Sequence, residues 1–329
     1  MPYRPTALVL TLSESVAWIV TVCLVRGLGF AVTIVAGGTM TASLIPAERR
    51  GEGLALVGVV GGGASLITLP LGLWLARHAG YGPVAVAAGV AAMAAMASVP
   101  GLLGGERGAR WAKGTRTEGA EPANGAGRVS GTVGEAPPGM TAALRTPALR
   151  RPALVFATTA LAAGILVTFL PVAVPESAAG AVTVALVVQP AAATAARWVA
   201  GRHGDRHGSA RLVVPGLLLP AAGMLITVAT ATPVAVVVGS AVFGAGFGVA
   251  QNATLTPMYA RVARPSFGTV TAVWNLAYDA GMGAGAAGFG LAAAHTGYPW
   301  AFALTAAVML LALGPALRDA GVRTGSRPR

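Results

Sequence analysis

Two stretches of this chain match each other at a fixed distance, and the match decides how the rest of the sequence is interpreted. Residues 27–32 are Gly-Leu-Gly-Phe-Ala-Val, and residues 244–249, which lie 217 positions later, are Gly-Ala-Gly-Phe-Gly-Val. At the same offset, residues 78–81 (His-Ala-Gly-Tyr) match residues 295–298 (His-Thr-Gly-Tyr). Glycine matches arise easily by chance in a chain with 46 glycines, whereas an ungapped His-x-Gly-Tyr match does not. The chain therefore contains an internal repeat.

The composition places this repeat in a membrane. Of the 329 residues, 55% are hydrophobic and only 10% are charged, and the mean hydropathy is +0.70, whereas an ordinary soluble domain is about 25% charged. About 20 apolar residues of helix cross a bilayer, and nine segments are predicted to do so: 17–44, 53–76, 82–103, 152–171, 179–199, 211–230, 233–258, 267–292 and 298–317. The expected fold class is an all-α polytopic membrane protein, a pseudo-symmetric helical bundle of these transmembrane helices plus a short N-terminal partial helix at 5–15.

The positive charge marks topology. A net charge of +12 would suggest a nucleic-acid partner if it were concentrated in one region. Instead, 20 of the 23 Lys and Arg residues lie in alternate connections between the predicted spans, with the group from Arg197 to Arg211 counted as one such connection. This is the positive-inside pattern, which sets the orientation of a membrane protein. We expect a multi-pass protein of the cell inner (plasma) membrane, surrounded by lipid, with a cytoplasmic C-terminus and no nucleic-acid partner.

The spans fall into two unequal groups. The predicted segments are an incomplete N-terminal helix bundle (1–103), a flexible cytoplasmic linker rich in glycine and charge (104–151), a six-helix C-terminal bundle (152–318) and a cytoplasmic tail (319–329). Because the six-span half begins near Pro152, its twin at the 217-residue offset would begin roughly 65 residues before Met1. The chain is therefore interpreted as an N-terminally shortened six-plus-six protein.

Residues that carry enzymatic or metal chemistry are sparse. Cys23 is the only cysteine, and only His203 and His207 among the four histidines lie four apart, in a predicted polar loop that contains Asp205. The sequence shows no nucleophile–base pair and no carboxylate dyad. The glycine-rich stretch 201–208 follows no predicted strand and precedes no Lys-Ser/Thr, so it is not a nucleotide-binding loop. We expect no enzyme activity, no catalytic residue, no cofactor and no metal.

Four stretches resemble signatures of one known family. They are Gly201-Arg-His-Gly-Asp205-Arg206-His-Gly208 with Arg211, which matches a G-x-x-x-D-R-x-G loop; Arg26-Gly-Leu-Gly29, which resembles a fourth-helix signature; Pro46-Ala-Glu-Arg-Arg-Gly51, similar to the loop after that helix; and Leu69-Pro70-Leu-Gly72, similar to the G-P-x-x-G antiporter motif without the glycine before its proline. On these residues the chain is identified as a member of the major facilitator superfamily, and it most resembles the bacterial drug and sugar efflux branch.

The resemblance implies a secondary active transporter that exports a small amphipathic molecule or a sugar by alternating access, with proton coupling as one hypothesis. It also implies a gating loop formed by Gly201, Asp205, Arg206, Gly208 and Arg211. In that loop Asp205 is expected to cap the next helix and to hold an arginine across the interface between the halves. The alternative is a truncated or mis-started relic that does not transport.

Polar residues inside the predicted spans are candidates for the substrate and proton pathway. Asn275 and Asp279 are one turn apart on one helix face. Asp279 is therefore either a proton or cation site or the partner of a loop arginine such as Arg206. Arg26 is implied by the resemblance to act in proton coupling, and the alternative is an arginine that extends to the outer interface.

Uncharged amides and prolines complete the candidates. The resemblance implies that Gln251 and Asn252 lie beside the central cavity and contact the substrate, whereas such amides otherwise join helices. Pro70 and Pro190 are predicted to kink their helices. Glycines that crowd two corresponding segments, 58–63 and 281–290, predict close helix packing, with a hinge as the alternative.

Overall fold

Helices build most of the chain that the structure describes. The computed structural model describes residues 15–80, part of 83–93, and 139–321, and none of these residues lies in a strand. The helices are α1 (Val16–Leu44), α2 (Arg50–Ala79), α3 (Met140–Arg145), α4 (Pro147–Ala173), α5 (Ala179–His207), α6 (Val213–Thr227), α7 (Pro233–Ala260), α8 (Phe267–Thr296), α9 (Tyr298–Leu311) and α10 (Leu313–Gly321). Short 3-10 helices precede α2, α5, α6 and α8 (Ala47–Arg49, Glu176–Ala178, Ser209–Leu212 and Arg264–Ser266). The predicted all-α class is confirmed for these residues.

The internal repeat recurs in the helix boundaries. An offset of 217 residues carries α2 onto α8 without any shift, and it carries the 3-10 helix before α2 onto the one before α8. Both helices end at a glycine with a left-handed backbone, Gly80 with φ +80° and Gly297 with φ +79°. Glycine adopts this conformation without a steric penalty. Equivalent sequence thus produces equivalent helix starts and stops in both repeats.

Six helices are long and apolar enough to cross a membrane, counted over the residues that are described. They are Gly27–Leu44 within α1, Pro147–Ala173, Glu176–His207, Ser209–Thr227, Pro233–Ala260 and Tyr298–Asp319. The predicted spans 53–76 and 267–292 form α2 and α8, both rich in glycine, which adds little hydropathy, and most of 82–103 lies outside the described residues. These helices fit a multi-pass membrane protein, and the count of nine spans remains a prediction.

The outer surface carries apolar side chains that lipid would solvate. Val234, Leu291, Trp300 and Leu311 are 71–78% exposed. Exposed apolar area on this scale is unusual for a soluble monomer, whereas a bilayer supplies an apolar solvent for it. The interior is also apolar, with Phe156 among the fully buried side chains.

The chain forms two compact units. One comprises Met1–Ala31 and Thr68–Ala136, and the other comprises Val32–Ile67 and Pro137–Arg329. All contacts described below lie within the second unit. The boundaries predicted from the sequence, at 103 and 152, remain a prediction.

The C-terminal bundle extends beyond its predicted limits at both ends. Residues 140–151, predicted as the end of a flexible linker, form α3 and the start of α4, and the rest of that linker lies outside the described residues. The tail was predicted to begin at Asp319, which instead lies in α10 and is 2% exposed. Asp319 is held in the bundle because its charge has a partner there, Arg261, that composition does not reveal.

An ion pair fixes this C-terminal helix. The Asp319 carboxylate accepts hydrogen bonds from both terminal nitrogens of Arg261, at 2.9 and 2.8 Å. Arg261, at the end of α7, also donates to the backbone carbonyl of Ala148 in α4 at 2.7 Å. One guanidinium therefore joins α10, α7 and the start of α4.

Glycines let helices of this bundle touch through their backbones. A Cβ atom added to Gly281 or Gly285 of α8 would meet a backbone carbonyl oxygen of α4, that of Ala157 or Leu161. Gly248 of α7 lies in the same way against the carbonyl of Ala193 in α5. Such close approach is the role expected of small residues between membrane helices.

Gly285→Ala should therefore destabilise the protein by about 1–3 kcal/mol, because a backbone atom cannot rotate away from the added methyl group. Gly283→Ala is a matched control on the same helix, since nothing lies within 4 Å of the Cβ that it would gain. There the higher helix propensity of alanine should leave stability unchanged or raise it slightly. Unfolding of both variants in detergent, followed by tryptophan fluorescence, checks this. Equal losses of stability in Gly285→Ala and Gly283→Ala would contradict a backbone contact at Gly285.

Candidate functional site

The glycine-rich motif lies on a helix and not in a loop. α5 continues through Gly201 and Asp205 to His207, and the chain turns only at Gly208, whose φ is +90°. The predicted loop is wrong, because the backbone stays helical from Gly201 through His207 and leaves the helix only at Gly208. One consequence is that His203 and His207 stack one turn apart, with 4.3 Å between ring centroids.

Asp205 caps a helix of the other repeat. Its Oδ1 accepts a hydrogen bond from the backbone N–H of Gly51 at 2.8 Å, and Oδ2 accepts one from Glu52 at 2.7 Å. These N–H groups belong to the first turn of α2, where they lack helical acceptors and where the helix dipole favours an anion. Asp205 was predicted to cap the next helix, and this is wrong, because the helix that it caps is α2. The predicted ion pair between Asp205 and an arginine does not form among the described residues.

A pair of glycines brings α2 and α5 together at this cap. A Cβ on Gly51 would lie 2.9 Å from the Gly201 carbonyl oxygen, and one on Gly201 would lie 2.5 Å from that of Gly51. Gly201 is thus required for close approach and not for a turn. Nearby, Arg202 and Glu52 form an ion pair at 3.8 Å with side chains that are 51% and 37% exposed. Such an exposed pair contributes at most about 1 kcal/mol, so Asp205 provides the main polar contact.

Asn252 joins α7 to the same turn of α2. It is 1% exposed, its Nδ2 donates to the Gly51 carbonyl at 2.9 Å, and its Oδ1 accepts from Thr256 at 3.2 Å. The amide therefore has partners within the helix contacts, which is the helix-joining alternative for such residues. This arrangement does not favour Asn252 as a substrate contact.

Arg50 lies where the two repeats meet. Its guanidinium stands over the Phe267 ring, 5.1 Å from the centroid, and the 217-residue offset makes these two positions equivalent. A contact between equivalent residues is what a two-fold axis between α2 and α8 produces. Burial lowers the pKa of the Arg50 guanidinium, and the nearby charge of Arg264 lowers it further.

Arg197 was predicted to belong to a basic loop but lies within a membrane-spanning helix, α5. Its Nη1 donates to Gln251 Oε1 at 3.2 Å, and its Nε is buried without a hydrogen-bond partner. Within the described part of the chain no carboxylate pairs with it. The guanidinium lies against Gly58 of α2, where an added Cβ would be 2.5 Å from its Cζ. The available signal was the predicted span 179–199, which already contains Arg197.

Asp279 lies unpaired on α8. It is exposed and forms no ion pair with Arg206 or with another described residue. The amide of Asn275, one turn earlier, donates to the Thr271 carbonyl of its own helix at 2.8 Å. The structure therefore lacks the ion pair that was the alternative for Asp279, and the proton-site hypothesis remains a prediction. Arg26 lies in α1, and its side chain is outside the described structure.

The remaining predicted residues belong to the helical framework. Pro70 lies inside α2 and Pro190 inside α5, where the Pro190 carbonyl accepts a hydrogen bond from Thr194 at 2.8 Å. Arg206 is exposed near the end of α5, and Arg211 is exposed in the 3-10 helix that follows. Neither arginine contacts the Asp205 cap through a hydrogen bond or an ion pair.

Comparison with known proteins agrees with this architecture. A family model described as the Major Facilitator Superfamily matches residues 5–286. None of the curated proteins searched matches the chain. The match includes α1 and α2 as well as α5 and α7, so both sides of the Asp205 cap lie within it. The chain, a multi-pass helical membrane protein, therefore belongs to the Major Facilitator Superfamily of membrane transporters.

Proposed function

We propose that this chain is a secondary active transporter that exports a small amphipathic molecule or a sugar across the inner membrane by alternating access, with nine complete spans and a cytoplasmic C-terminus. The observation that carries the proposal is the Asp205 cap on α2. Here a carboxylate of the second repeat holds the start of a helix of the first repeat. Alternating access requires contacts between repeats that can form on one side of the membrane and break again.

The chemistry of this contact suits a gate. The two hydrogen bonds that the helical N–H groups donate to the carboxylate are strong but few. The surrounding contact uses glycines, so no side chains have to separate there. Separation of α2 from α5 would leave the N–H groups of Gly51 and Glu52 to water at the membrane surface, which can replace Asp205. Gly201, Asp205 and Gly208 form the gate in this proposal, and Arg206 and Arg211 supply positive charge on its cytoplasmic side.

The coupling site is assigned to Asp279, with Asn275 beside it and with Arg26 and Gln251 as further pathway candidates. Asp279 supports this role because it is a carboxylate on a helix predicted to cross the membrane, and it lacks an ion-pair partner among the described residues. Intramembrane carboxylates of this kind are costly unless they face water or a partner. An antiporter would protonate and deprotonate Asp279 once per cycle.

Inverted membrane vesicles test the transport proposal directly. Vesicles that contain the chain are energised with an inward proton gradient, which a pH-sensitive dye reports, and a panel of amphipathic compounds and sugars is added one at a time. Vesicles with an empty vector are the control. A transported compound should dissipate the gradient only in vesicles that contain the chain. If no compound moves, measured either by the gradient or by accumulation, the transport proposal fails.

Asp279→Asn should abolish proton coupling, because the amide cannot take up and release the proton. Dissipation of the gradient by a transported compound should fall by about 10²-fold or more, since the loss of an acid–base group typically lowers a rate by about 10²–10⁴. Exchange of the same compound without a gradient should persist. Glu176→Gln, which makes the same change at an exposed position in the 3-10 helix before α5, is the matched control. Unchanged coupling in Asp279→Asn would contradict this site.

A further inference from the structure

Arg197 is a charged side chain that the gate and the coupling site do not use. α5 has 29 residues, about 43 Å of helix, and Arg197 lies about 6 Å from its midpoint, so a bilayer core of about 30 Å centred on α5 contains Arg197. Charged residues at this depth are costly, and they normally mark a pathway or a partner. Among the described residues, the one hydrogen-bond partner of the Arg197 side chain is the neutral amide of Gln251. One acceptor is therefore available to a guanidinium that has five N–H donors.

The surroundings of Arg197 are built from both repeats. α5 supplies the arginine, α7 supplies Gln251, and α2 closes over the guanidinium at Gly58. One turn further along the same contact, Gly62 of α2 lies against the hydroxyl of Thr194, 2.5 Å from the position of an added Cβ. Substrate sites of secondary transporters lie near the midplane where repeats meet. Arg197 lies about one turn from the midpoint of α5 and at such a junction.

The closing contact with α2 is a glycine contact that can open. Gly58 covers the Nε of Arg197 and has no side chain. When α2 packs against α5, the guanidinium therefore gains no electrostatic partner from Gly58. When α2 and α5 separate, the same donors become accessible from the opened side. A guanidinium presents its donors in a planar fork that fits a carboxylate or phosphate with two hydrogen bonds.

We propose that Arg197, oriented by Gln251, is an anion-binding residue and that the molecules this chain transports carry an anionic oxygen group such as a carboxylate. The inference rests on the proposed transport function for its physiological meaning, but binding can be measured without transport. It narrows the substrate class from amphipathic molecules in general to amphipathic anions. Gln251 acts as a positioning residue, since its amide holds Nη1 and does not carry charge.

Three small molecules of nearly the same shape test this assignment: benzoate, neutral benzamide and cationic benzamidine. The thermal unfolding temperature of the purified full chain in detergent is measured with each. At benzoate concentrations tenfold above its Kd we expect a rise in Tm of about 3 °C, with no rise for benzamide or benzamidine. Arg197→Gln should lose the rise, and Arg197→Lys should retain a smaller one because it keeps the charge but not the fork.

Several outcomes overturn the proposal. If the three probes change the Tm of the wild-type chain equally, or do not change it at all, the chain does not recognise the negative charge. The same benzoate response in Arg197→Gln would place the anion elsewhere. If Arg197→Gln does not fold, Arg197→Lys and Gln251→Leu are measured instead. A benzoate Kd that is unaltered in both variants would contradict the site. Failure of the vesicle transport assay with an intact, Arg197-dependent benzoate response would reject the transport function and leave the anion site standing.

Discussion

Replacement of Asp319 by asparagine should lower the free energy of unfolding by about 3–5 kcal/mol, the range for removing one member of a buried ion pair. Asp319 is 2% exposed, and its carboxylate accepts two hydrogen bonds from Arg261. The amide is nearly the same size as the carboxylate, so the loss comes from charge and not from a cavity. Arg261 would remain largely buried without its counter-ion and would still be held by the Ala148 carbonyl.

An exposed ion pair in the same molecule provides the control for this prediction. Glu52→Gln removes the partner of Arg202, and because both side chains are substantially exposed the loss should be at most about 1 kcal/mol. Unfolding of both variants in detergent micelles, followed by tryptophan fluorescence, gives the comparison. A double replacement of Arg261 and Asp319 by Met and Leu should recover much of the stability, since it leaves no buried charge. Equal losses in the free energy of unfolding for Asp319→Asn and Glu52→Gln would show that the buried ion pair stabilises the protein no more than the exposed one.

Helix identity and the repeat could be predicted because they depend on local sequence. Apolar length fixes which segments can cross a bilayer, and equivalent glycines stop equivalent helices, as Gly80 and Gly297 do. Helix ends that depend on distant partners were predicted less well. The chain continues as helix through Asp319 because Arg261, on another helix, compensates its charge. Composition alone predicts that residues 319–329 form a polar tail.

The candidate site shows the same division between local and distant information. A carboxylate next to glycines indicates a helix cap, so the role of Asp205 followed from the motif. The identity of the capped helix depends on how α5 packs against a segment about 150 residues earlier in the chain, and the motif contains no information about that. Arg197 was assigned to a basic loop, because charged residues normally lie outside the membrane-spanning part of a helix. Only the contact with Gly58 and Gln251 reveals that it is retained inside one.

Asp205→Asn should open the contact between α2 and α5. A hydrogen bond to a charged group contributes about 1.5–3 kcal/mol, and the amide keeps an acceptor for only one of the two N–H groups while it points a donor at the other. We expect a loss of about 2–3 kcal/mol from the closed arrangement, which is roughly a 30- to 150-fold shift toward the open one. Loss of the favourable interaction with the α2 dipole acts in the same direction.

The opening can be measured at Ala55, which is fully buried and whose Cβ meets Gly201 across the contact. In a background with Cys23→Ser, an Ala55→Cys probe should react with a water-soluble maleimide at a rate set by the open fraction, so Asp205→Asn should accelerate labelling by one to two orders of magnitude.

Arg206→Gln is the matched control, because it changes the adjacent charge without touching the cap. Because Asp205 binds backbone groups on the rim of the bundle and not in its core, global unfolding should change far less than labelling. Labelling that stays slow in Asp205→Asn, or that rises equally in Arg206→Gln, would mean that the glycine contact alone keeps the gate closed.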